Sequence, residues 1–179
     1  SSFLHSSLIQ ILVSIPALLL CLSVHEACHG FAAYALGDPT AKQEGRLTFD
    51  PLRHLDPIGT LCMLFFHVGW AKPVPINPSY FKNRRVGIAL VSLAGPASNF
   101  VLALLALFLY YPLRLTSSPI LTAIALMLYM TAVMSIGLGV FNLIPVPPLD
   151  GSRILLVVLP QRIYFGLMRY EKYIMIVML

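Results

Sequence analysis

Polar residues are sparse along this chain and fall in clusters, leaving apolar stretches of helix length between them. Residues 8 to about 36 form the first such run, which stops at Gly37-Asp38-Pro39, a glycine able to turn the chain followed by a proline that cannot continue a helix. One long helix is predicted there, with Pro16 as a kink point. Residues 40–49 carry Gly45 between two short segments, the signal of a small β-hairpin. Asp50-Pro51 and Asp56-Pro57 punctuate the loop that follows. Residues 58–70 are apolar for about 13 positions, which at about 1.5 Å each cover under two thirds of a ~30 Å bilayer core. They are expected to be re-entrant, dipping in and returning on one side. Residues 86–111 and 120–141 are long enough to cross, with a short loop at 112–119 between them. Residues 154–159 and 163–179 hold the remaining apolar material, broken at Pro160.

Composition turns this pattern into a class. Apolar residues make up 58% of the chain, charged residues 11%, and the mean hydropathy is +0.84. A soluble domain carries about a quarter charged residues, so the expectation is an all-α polytopic membrane protein. Its 179 residues suffice for one bundle of roughly four to six membrane segments, read as a single domain over 1–179. The chain does not begin with Met and its last apolar stretch is too short to cross, so trimmed termini are expected. The first run exceeds a signal-peptide core and is expected to be retained. Cys21, Cys28 and Cys62 form no CxxC pair, which argues against a disulfide framework or a zinc ribbon.

The net charge of +5 does not point to nucleic acid, because the basic residues are scattered over short loops without aromatic interleaving. It points instead to topology. With residues 58–70 re-entrant, the segments 37–56, 71–85 and 145–172 share one side and hold eleven of the twelve Lys and Arg, leaving Arg114 opposite. By the positive-inside rule that side is expected to be cytoplasmic, and the protein is expected to be integral to the plasma or inner membrane.

The candidate chemistry lies at the end of the first run, in His25-Glu26-Ala27-Cys28-His29. Positions i and i+4 of a helix project from one face, so two imidazoles can grip one metal with a carboxylate beside them, the HExxH arrangement of zinc hydrolases. Paired surface histidines are the bland alternative, and it weakens because polar groups are costly in this setting. A catalytic zinc takes three protein ligands and keeps one position open. The expected topology brings the end of residues 120–141 to the same side, so Asp150 in Pro147-Pro148-Leu149-Asp150-Gly151 is the better third ligand among the acids. A turn or helix cap facing water is its other reading. Glu26, not itself a ligand, suits a general base that accepts a proton from water and passes it to a leaving amine.

His25-Glu26-Ala27-Cys28-His29, together with Asn142, Pro145, Pro147 and Asp150-Gly151, resembles the site-2 protease family of intramembrane metalloproteases. Gly37-Asp38-Pro39-Thr40-Ala41-Lys42, Gly45-Arg46-Leu47-Thr48, Asp56-Pro57-Ile58-Gly59, Gly69-Trp70-Ala71-Lys72-Pro73-Val74-Pro75 and Ala94-Gly95-Pro96-Ala97-Ser98-Asn99 are similar to its short branch, which extends the likeness from about residue 16 to 160. The resemblance implies Zn2+ held by His25, His29 and Asp150, Glu26 as base, and cleavage of transmembrane protein substrates within the lipid bilayer. It also implies that Asn142 holds the substrate backbone or the developing oxyanion. Neither a PDZ nor a CBS domain is visible, which leaves regulation and oligomeric state open.

Other polar residues have two readings. Asn99 is either a helix-to-helix contact or a substrate contact, His54 a loop residue, and His67 a structural residue or part of a water route. The segment 40–49 offers an edge to an unwound substrate strand. Two rival functions remain: a divalent-cation transporter, which has no need of Glu26, and a catalytically silent pseudoprotease, which has no need to keep it.

Overall fold

The computed structural model describes residues 2–66 and 70–178, and among them every regular element is helical. The α-helices run in order as α1 Ser2–Ala35, α2 Thr40–Gln43, α3 Pro57–Phe66, α4 Arg84–Leu113, α5 Pro119–Asn142, α6 Asp150–Val158, α7 Gln161–Met168 and α8 Glu171–Met178. Three are long and apolar enough to cross a membrane: α1 over Leu12–Ala35, α4 and α5. Pro16 lies inside α1 without ending it.

α4 is the centre of the bundle and packs on α1, α5 and α6. Its buried face includes Gly87, Val91, Gly95, Asn99 and Ala103, one residue per turn, and α1 presents the matching row Ala17, Cys21, His25, His29 and Ala33. On α5 the buried residues are Ala125, Thr131, Ala132, Ser135 and Gly139. Small side chains let the helix axes approach closely, and in lipid close packing is what holds helices together. The large apolar residues face outward, with Leu104 69% and Phe108 76% exposed. In water such a surface would drive aggregation; against acyl chains it carries no penalty.

The predicted hairpin at 40–49 is not formed, and the reason lies in Gly45. Its φ of +65° closes the short helix α2, with Gly45 N–H donating to Lys42 O at 3.0 Å and Arg46 N–H to Ala41 O at 2.9 Å. The same pair of bonds ends α1: Gly37, at φ +103°, donates to Tyr34 O and Asp38 N–H to Ala33 O. Both glycines serve as left-handed helix caps. A hairpin turn and a helix cap demand the same residue, so composition alone could not separate them. The expected re-entrant dip at 58–70 finds no support as such. Its described part is α3, a ten-residue helix spanning about 15 Å, and residues 67–69, including His67, lie outside the described residues. The flanks of the segment do meet, through the antiparallel bridge Leu55 to Ala71 and the bond from Lys72 N–H to His54 O at 2.8 Å. Asp56-Pro57, expected in a loop, starts α3: the Asp56 carboxylate accepts Gly59 N–H at 2.7 Å.

Asp38 fastens this end of the bundle. It is fully buried, and its carboxylate accepts Thr40 N–H at 2.9 Å, the Thr40 hydroxyl, and Asn77 N–H at 2.7 Å. Burial acts to raise its pKa, but these bonds together hold it below the ordinary carboxylate value. A depressed folded pKa gives stability that is present above the unfolded value of about 4 and is lost as pH falls through the folded one. Asp38→Asn should therefore lower stability by about 1–3 kcal/mol near neutral pH. The gap to the parent should close below about pH 4, as thermal melting in detergent across pH would reveal.

Candidate metal centre

One turn apart on α1, His25 and His29 point the same way, and Asp150 meets them from the first residue of α6. His25 Nε2 is 3.0 Å from Asp150 Oδ2, His29 Nε2 is 3.3 Å from it, and the two Nε2 atoms are 3.1 Å apart. Their other ring nitrogens are committed: His29 Nδ1 lies 2.7 Å from Val91 O and His25 Nδ1 2.6 Å from Asn99 Oδ1. A carbonyl only accepts, so His29 Nδ1 must donate. Asn99 is oriented by its own amide, whose Nδ2 donates to Cys21 O at 3.1 Å and to Ser135 Oγ at 3.2 Å. Its Oδ1 therefore faces His25, and that Nδ1 donates too.

The consequence is electrostatic. With both Nδ1 atoms protonated, two Nε2 lone pairs and a carboxylate oxygen converge on one point, which requires positive charge among them: a ring proton or a metal cation. Burial acts to raise the Asp150 carboxyl, but hydrogen bonds with His25 and His29 and the charge on those rings bring it to about 2. The spacing fits a metal. Tetrahedral coordination with bonds of about 2.0–2.1 Å gives ligand separations of about 3.3 Å, close to the 3.0, 3.1 and 3.3 Å found. These side chains form a three-donor cluster among the described residues, leaving a fourth position for water or substrate.

Two glycines make the approach possible. A Cβ at Gly95 would lie 2.5 Å from His29 Nε2 and 2.8 Å from His25 Cε1, so the imidazoles rest directly on the backbone of α4. At Gly151 a Cβ would lie 2.2 Å from Leu143 O, where α6 begins against the end of α5. Beside the cluster is a cavity of about 290 Å³ lined by His25, Glu26, His29, Asn142, Asp150 and Arg153, with Pro73 to Val74 along one wall. Glu26 Oε2 accepts Val74 N–H at 3.1 Å. Asn142 lines the cavity but donates Nδ2 to Leu138 O, one turn back on its own helix, at 2.9 Å. His54 is a buried loop residue, as expected, with Nε2 2.7 Å from Thr48 O.

Asn99 makes the contact across the bundle, one of its two readings, reaching Cys21 O on α1 and Ser135 Oγ on α5, and its Oδ1 lies against His25 Nδ1. The signal was present in the spacing, since Asn99 sits one turn beyond Gly95 on the face where the imidazoles land. The wall at Pro73 to Val74 lies in one of the stretches that carry the family likeness, but nothing in its spacing placed it beside the imidazoles.

The model of Peptidase family M50 matches residues 112–179, a stretch that includes Asn142 and Asp150. The Bacillus subtilis protein named "Putative zinc metalloprotease YwhC" is 38% identical over 181 residues, which cover 99% of this chain and 83% of that protein. The Mycobacterium tuberculosis protein named "Putative zinc metalloprotease Rip2" is 34% identical over 139 residues, 74% of this chain and 52% of the relative. Its Mycolicibacterium smegmatis counterpart is 30% identical over 138 residues with the same coverage, so the chain spans about half the length of the Rip2 proteins. No solved structure matches the chain.

Asn99→Ala removes the acceptor that fixes the His25 ring, and loss of such an outer partner typically weakens metal affinity by about 10- to 100-fold. Gly95→Ala forces the imidazoles off α4 and should lower metal content further. Competition with a chromogenic chelator measures both.

Proposed function

Since the chain belongs to peptidase family M50, the site-2 protease family, we propose that it is an intramembrane zinc endopeptidase that hydrolyses peptide bonds in transmembrane segments of other proteins. The observation that carries this reading is the convergence of His25, His29 and Asp150 beside Glu26 in one cavity, with both histidines inside the apolar stretch Leu12–Ala35 of α1. His29 and His25 lie six and ten residues before the end of α1 at Ala35, or about 9 and 15 Å along a helix whose rise is about 1.5 Å per residue. That depth supports a peptide bond inside the bilayer as the target. The names of the relatives support zinc as the metal. Eleven of the twelve Lys and Arg lie between the end of α1 and the first turn of α4 or after the end of α5, which supports a cytoplasmic orientation of those helix ends.

In this reading His25, His29 and Asp150 hold the zinc, which when bound supplies Lewis acidity that eases loss of a proton from water and polarises the scissile carbonyl. Asn99 and the Val91 carbonyl keep both imidazoles in the tautomer that presents Nε2. Glu26, in the cavity but outside the ligand set, takes the proton from the attacking water and returns it to the leaving amine. Asn142 turns its amide from Leu138 O toward the substrate and donates to the oxygen on which negative charge develops. A transporter needs neither of these last two groups.

Glu26→Gln should retain zinc and lose proteolysis, because it removes the base and spares every ligand. Incubation with single-span membrane peptides, with and without a chelator, checks it; normal cleavage by that variant would sink the mechanism. Asn142→Ala should keep its zinc and slow turnover by about 10²-fold or more, the scale of a lost oxyanion donor. Lower melting temperature with unchanged activity per zinc-loaded molecule would instead restrict Asn142 to ending α5.

A further inference from the structure

Arg46 is a buried cation, 3% exposed, with no carboxylate within ion-pair distance among the described residues, although Glu26 and Glu44 act on its charge from further away, and its Nε has no hydrogen-bond partner. Such a group is costly unless its remaining donors accomplish something specific. They do. One arm of the guanidinium donates to Lys72 O at 2.6 Å and the other to Pro73 O at 3.3 Å. The first arm also lies 3.4 Å from His54 Nδ1, whose ring passes the contact on through Nε2 to Thr48 O. From the opposite edge, Lys72 N–H is held by His54 O. The chain at 72–73 is thus gripped through both its carbonyls and its amide.

The next residue is Val74, whose N–H donates to Glu26 Oε2. Pro73 and Pro75 have no N–H, so Val74 carries the sole backbone donor of the 73–75 stretch and it is spent on Glu26. Further along, Asn77 N–H is held by Asp38. A strap anchored at both ends therefore aims one amide at one carboxylate. We infer that Arg46 is a positioning residue for proteolysis: by fixing the Lys72 and Pro73 carbonyls it holds the Val74 amide where it orients Glu26. This rests on the reading of Glu26 as the base.

The test uses the full-length protein in detergent with three variants. Arg46→Lys keeps the charge but replaces a planar two-armed fork by one compact ammonium, and Val74→Pro removes the amide hydrogen while also fixing φ and replacing the side chain; Glu26→Gln is the reference. Arg46→Lys and Val74→Pro should each lower kcat by roughly 10- to 100-fold, the scale of a misplaced catalytic group, with KM and zinc content close to the parent's. Hydrogen exchange at residues 71–77 should speed up in Arg46→Lys even without substrate. Parent-like kcat in both variants, with Glu26→Gln inactive, overturns this inference alone. Activity that falls only in proportion to zinc content overturns it as well, since that is a purely structural effect. Activity surviving in Glu26→Gln removes the base assignment and this inference together.

Discussion

Two imidazole lone pairs and a carboxylate oxygen held about 3 Å apart repel one another unless a cation lies among them, and the apolar surroundings deepen that repulsion. Most of the architecture serves to keep this arrangement from relaxing. The imidazoles cannot rotate, because Val91 O and Asn99 Oδ1 hold their far nitrogens. They cannot retreat, because they lie against α4 at Gly95. Asp150 cannot withdraw easily either: α6 abuts α5 at Gly151, and Arg85 grips its other end through Leu156 O and Leu159 O at 2.7–3.1 Å. A cation at the convergence point relieves the strain that the polypeptide imposes.

The polar network extends without a break from the site into the bundle. Asn99 joins His25 to Cys21 O on α1 and to Ser135 on α5, and Ser135 returns a bond to Asn99 O at 2.8 Å. Among these groups every donor has an acceptor, which is what a low-dielectric interior demands. Three helices that otherwise meet mainly through small side chains are thereby fixed in one register.

Much of this was legible in the sequence, for identifiable reasons. The long helices follow from apolar runs that no soluble fold could hide, and Gly37-Asp38-Pro39 marks the end of α1 because a left-handed glycine and a following proline leave few alternatives. The His25 and His29 pair was visible because helical spacing converts directly into a shared face, and Asp150 followed from the side to which α5 returns. Gly45 misled because a helix cap and a hairpin turn use the same backbone conformation. Arg46 and Val74 stand in stretches of family likeness, but their contacts were out of reach for another reason. Those contacts run through backbone carbonyls and an amide, which are the same in every residue, and only folding decides which of them meet.

The donors also lie far apart in the sequence, with Asp150 125 residues after His25. During synthesis the first helix emerges with two of the three donors, and the third follows only after α4 and α5 have been made. A growing chain therefore offers any metal it meets an incomplete grip. A grip by all three donors requires α6 to be docked, so the metal centre and the packing of the bundle around it are coupled.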